Sequence, residues 1–217
     1  MRTFLKILLG LLLSWIGAMC ALTAIHESLS LPGNWLCCTF IMAFIAGIFI
    51  FRKWRFVPFY VFGHEMTHFL TAKLFLKKTG KIKLHRTHGS VEVFDGNVWI
   101  VLAPYIVPFY AILAVAVYGL ASLFLQERLL DLVFAALAAL GYAYHVVLTC
   151  HALKLQQSDL DVYGPFLSGS IIFSGNMLLI LIAILVFSRT WKNALSYMQE
   201  ITMVQADLVH SLIKCLH

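Results

Sequence analysis

His64-Glu65-Met66-Thr67-His68 is the stretch of this chain whose residue types and spacing point most sharply to chemistry. On a helix, residues four apart share a face, so the imidazoles of His64 and His68 can reach one cation. Glu65 stands beside them, where a carboxylate can take a proton from water. A catalytic zinc needs about three protein ligands plus an open position, and it lowers the pKa of bound water to roughly 7. His64 and His68 are therefore read as metal ligands. Glu65 is read as the general base, and later as the proton donor to a leaving amine. The setting adds weight, because residues 56–75 are otherwise mostly apolar. Ionisable groups in such a run are costly to bury and mark a functional site by default. The competing reading is a polar cluster that merely holds helices together.

Three ligands require a third residue. Asp159 and Asp161, in Gln157-Ser158-Asp159-Leu160-Asp161-Val162-Tyr163-Gly164-Pro165, are candidates. So are His145 and His151 in the apolar stretch before them. On a regular helix Asp159 and Asp161 lie about 200° apart, so only one of them can face an ion.

The elements that must position these groups are mainly membrane helices. Of 217 residues 61% are hydrophobic and 12% charged, with a mean hydropathy of +0.89. Soluble domains carry roughly 25% charged residues, so the composition is that of an integral, multi-pass membrane protein. A span needs about 20 apolar residues, and six stretches come close: 4–25, 35–51, 56–75, 98–125, 129–153 and 166–187. The first could be a cleaved signal peptide, but its length favours a retained anchor. Pro104 and Pro108 should kink or break the fourth. Asn176, in the last, is a candidate for an interhelical hydrogen bond or for orienting a substrate.

Residues 81–94 alternate polar and apolar side chains around His88-Gly89-Ser90, which predicts a two-stranded β-hairpin after the HExxH helix. Residues 189–217 show helical spacing of apolar residues and predict a C-terminal amphipathic helix. The expected fold is thus all-α, with about six transmembrane helices and one hairpin. N-terminal spans occupy 1–55, the catalytic core 56–188, and the tail 189–217. The net charge of +6 suits loops facing anionic lipid headgroups; no basic–aromatic patch suggests nucleic acid. The five cysteines form no CxxC pair and read as small buried hydrophobes.

An HExxH in a membrane helix, a short hairpin, then further spans with an aspartate near the junction of the last two resembles the site-2 protease family of intramembrane metallopeptidases. The resemblance covers roughly residues 56–187. It implies zinc bound by His64, His68 and Asp159, with Glu65 catalytic. It also implies a hairpin that presents an extended substrate, and a membrane protein as that substrate. The family's usual Leu-Asp-Gly motif is absent here; Ser158-Asp159 followed by Gly164-Pro165 stands in its place and is closer to a looser branch of the family.

Two other functions fit parts of the sequence. A membrane di-iron oxygenase or desaturase would use His64, His68, His85, His88, His145 and His151, but clusters of the HxxHH kind are missing. A non-catalytic membrane adaptor would keep the fold without cleaving, and would have no chemical need for Glu65.

Overall fold

The computed structural model describes residues 2–29, 35–86, 88–125, 127–154, 158–188, 199–200, 202–204 and 214. The elements run α1 (Arg2–Leu29), α2 (Trp35–Lys53), α3 (Val57–Leu74), β1 (Thr79–Leu84), β2 (Gly89–Val93), α4 (Val98–Ile106), α5 (Phe109–Ala121), α6 (Arg128–Ala152), α7 (Ser158–Asp161) and α8 (Pro165–Ser188). They fall into two compact units, Met1–Pro32 with Gly169–His217, and Gly33–Ser168.

Helices α1, α2, α6 and α8 are long and apolar enough to cross a membrane; a fifth crossing arises if α4 and α5 pass as one. The architecture is that of an all-α, multi-pass membrane protein with one small sheet. Of the six stretches expected to span, two differ from a simple apolar helix. Helix α3 carries the charged and polar residues of the HExxH stretch and is not among the candidate spans. The stretch 98–125 is broken: Val107, forced toward extended backbone by Pro108, has φ −88° and ψ 112°, and α4 and α5 bend by 78°. The amphipathic helix expected over 189–217 lies largely outside the described residues.

In the first unit α1 packs along α8. The Ser14 hydroxyl donates to Ser170 Oγ at 3.0 Å, and Ser174 Oγ donates to Leu13 O at 2.7 Å. Such hydroxyl contacts between apolar helices are a common adhesive in membranes. Asn176 donates to Ile172 O at 2.8 Å, one turn back in its own helix.

The second unit positions the candidate site. Helix α2 lies along α6, where a Cβ on Gly47 would come within 2.7 Å of Ala143 Cβ. Helix α3 starts at Phe56, whose φ of 45° is left-handed. Tyr144 on α6 holds that unusual turn, its hydroxyl donating to Phe56 O at 2.9 Å. Pro58 follows within the first turn, where its missing N–H removes nothing from the helix. The hairpin forms as expected, but its turn comes earlier: His85 N–H donates to His88 O at 2.9 Å, so Gly89 and Ser90 belong to β2. Pairing is antiparallel, with Ile82 opposite Val91 and Leu84 opposite Gly89, and it is irregular between Thr79 and Ile82.

Candidate metal centre

Helical periodicity places His64 and His68 on one face of α3, their ring centroids 4.9 Å apart. The tetrad α7, between α6 and α8, supplies the third group. Asp159 Oδ2 lies 3.5 Å from Nε2 of His64 and 3.5 Å from Nε2 of His68. One ligand atom from each of the three residues falls within 4.8 Å of the others. Zinc binds nitrogen and oxygen at about 2.0–2.2 Å, so neighbouring ligand atoms of a tetrahedral ion stand roughly 3.3–3.5 Å apart. The two His–Asp separations match that spacing. Two imidazoles, when neutral, and a carboxylate make a donor set that could hold a metal ion, and a zinc ion would accept it.

The tautomer of His68 follows from its partner. Its Nδ1 lies 2.8 Å from Ile100 O. A carbonyl can only accept, so Nδ1 carries a proton, and in the neutral ring Nε2 then offers its lone pair. Ile100 is held in turn by the cap of α4, its N–H donating to Asn97 Oδ1 at 3.0 Å. Asp159 is braced as well: the hydroxyl of the fully buried Tyr105 donates to Oδ2 at 3.0 Å. Burial alone would raise the Asp159 carboxyl; when His64 and His68 are protonated, their imidazolium groups outweigh burial and hold it below the usual carboxylate range. The backbone of α7 is tied down by Ser168, whose hydroxyl donates to Leu160 O at 2.9 Å.

Glu65 is buried and faces the hairpin. Among the described residues, strand β2 pairs with β1 alone and passes Glu65 at Gly89. Gly89 makes the approach possible, since a Cβ there would stand 2.6 Å from Glu65 Cγ and 2.8 Å from Val61 Cγ1.

The other candidates lie elsewhere. Asp161 is exposed and outside the three-ligand group. His145 lines a recess beside His64 but offers no atom to the group. His151 sits 3.2 Å from Arg55 Nη1, and His85 stacks on His88 at 4.5 Å. Sequence reasoning missed Tyr105, Ile100 and Gly89, which act through contacts distant along the chain. Tyr60 was also missed, although its place one turn before His64 on the same face was readable. Comparison with protein-family models, with curated proteins and with solved structures finds no match for this chain.

Proposed function

We propose that this protein is an intramembrane zinc metalloprotease, resembling the site-2 protease family, that hydrolyses peptide bonds of membrane proteins within or next to the bilayer. The observation that carries the reading is the convergence of His64, His68 and Asp159 on one point, with Glu65 on the next position of the same helix. A zinc ion held there would supply a Lewis acid that polarises a peptide carbonyl and makes water acidic enough to ionise near neutrality.

The chain's own residues do the rest. His64 and His68 would hold the ion through Nε2, and Asp159 through Oδ2. The Glu65 carboxylate accepts the proton of the attacking water and delivers it to the leaving nitrogen. Its burial excludes competing bulk water and strengthens its interaction with charge that develops nearby. A helical substrate must be unwound before its amide can be attacked, and the open edge of β2 offers backbone pairing to an extended segment beside Glu65. That juxtaposition favours a peptide over a small lipid as substrate. Among the described residues there is one three-ligand group, and the remaining histidines do not gather into the second set that a di-iron oxygenase requires.

The test is purified full-length protein in lipid vesicles, supplied with a panel of single-span peptides. About one zinc per chain is expected, together with cleavage that Glu65→Gln abolishes while zinc is retained. Two irons per chain would refute the protease in favour of an oxygenase. Bound zinc without cleavage of any peptide, and a cellular phenotype indifferent to Glu65→Gln, would favour the adaptor.

A further inference from the structure

Among the described residues, two buried side-chain polar atoms lack a protein hydrogen-bond partner: the Tyr60 hydroxyl and Nδ1 of His64. They belong together. Tyr60 lies one turn before His64 on α3, with ring centroids 5.4 Å apart. Both residues line a single recess of about 30 Å³, walled also by Tyr110, Tyr144, His145 and Thr149.

The two histidines of the metal group differ in one respect. His68 gives its Nδ1 proton to Ile100 O. A neutral His64 that turns Nε2 toward the cation also carries its proton on Nδ1, yet no protein acceptor meets it. Metal-ligating histidines nearly always donate that second N–H, and the partner orients the ring. A buried donor left unmet is costly enough to be rare. The recess resolves the difficulty. A volume of about 30 Å³ admits one or two waters, and a buried water typically makes about three hydrogen bonds. His64, Tyr60 and the polar groups of the α6 wall can supply them.

We propose that this recess is a water-binding site that holds His64 in its metal-binding tautomer, with Tyr60 as the positioning residue that anchors the water. The water accepts from His64 Nδ1 and bonds the Tyr60 hydroxyl, doing for His64 what Ile100 O does for His68. The inference rests on His64 being a metal ligand. It gives His145 a place in the recess wall, beside the metal group and outside it.

The test compares the zinc dissociation constant, by chelator competition, and the melting temperature of the metal-free protein. The proteins are wild type, Tyr60→Phe, Val107→Leu and a distant control, Tyr118→Phe. Val107 also lines the recess, and the extra methylene of leucine takes up space needed by water. Tyr60→Phe and Val107→Leu should each weaken zinc binding about tenfold, with Tyr118→Phe unchanged. Val107→Leu should not raise the melting temperature. A rise in that temperature with unaltered zinc affinity would mean a dry apolar void, and the water site would be wrong. Unaltered affinity in Tyr60→Phe would also overturn it, and that variant keeps the ring and its packing. A wild type that binds no zinc would overturn the metal centre as well, and so is distinguishable from failure of the recess alone.

Discussion

The Tyr105 hydroxyl donates to Oδ2 of Asp159 at 3.0 Å, and that same oxygen faces Nε2 of both His64 and His68 at 3.5 Å. One atom on a helix of four residues thus gathers contacts from α3 and α4. A helix that short has too few internal hydrogen bonds to fix its own side chains, so Asp159 depends on Tyr105 for its aim. The Tyr105 ring also meets the His64 ring edge-on at 5.3 Å. It braces the Asp159 carboxylate with its hydroxyl and the His64 imidazole with its ring.

Replacing Tyr105 by Phe therefore separates the two roles. The ring stays and the fold should survive, while Asp159 loses its donor. Zinc affinity should fall roughly 10–100-fold, the range for outer-shell partners of metal ligands. Chelator competition on Tyr105→Phe measures it, and an affinity equal to wild type would remove the bracing role.

Asp159 and Asp161 make a matched pair. Asp159→Asn keeps shape but removes the negative ligand, so zinc loss should exceed the roughly 10–100-fold effect of an outer-shell change. Asp161→Asn, on an exposed side chain, should leave zinc stoichiometry and affinity as they are. Metal content after gel filtration reports both. The reverse order would assign the ligand to Asp161.

How far the sequence foretold this site depends on how local each feature is. His64, Glu65 and His68 were legible because one helical turn is a local relation. The hairpin was legible because alternation is local too, although the turn lay earlier than His88-Gly89-Ser90 suggested. Choosing between Asp159 and Asp161 needed the tertiary fold, since two residues separate them and both sit in the same polar segment. Tyr105 contacts Asp159 across 54 positions, and no spacing rule reaches that far. Apolar length alone does not show how sharply the chain bends at Val107 before Pro108, where α4 and α5 meet at 78°.

Helix packing offers a stability prediction independent of any metal. At Gly141 on α6, a Cβ would come within 2.7 Å of the Ala111 backbone nitrogen and 2.9 Å of the Tyr110 carbonyl carbon. Backbone cannot turn aside as a side chain can, so Gly141→Ala must push α5 from α6. A cost of about 1–3 kcal/mol, the usual range for overpacking, is expected. Thermal unfolding in detergent should show a lower midpoint than wild type, and Gly119→Ala serves as control because its added Cβ meets nothing within 4 Å.

Gly89 tests the link between the hairpin and the proposed general base, Glu65. Its missing Cβ lets β2 lie against Glu65 and Val61. Gly89→Ala would put a methyl group where Glu65 Cγ and Val61 Cγ1 now stand, so the strand or the glutamate must move. Zinc should be unaffected, because His64, His68 and Asp159 do not touch this contact. Catalysis should suffer, because a general base out of place forfeits part of a contribution of about 10²–10⁴-fold. The expected signature is a turnover reduced at least about tenfold with wild-type zinc content. A further change, Val61→Ala, clears one of the two obstructing side chains and should restore part of the loss. Full activity in Gly89→Ala would show that β2 does not govern Glu65, and loss of zinc would show that the hairpin supports the ligands instead.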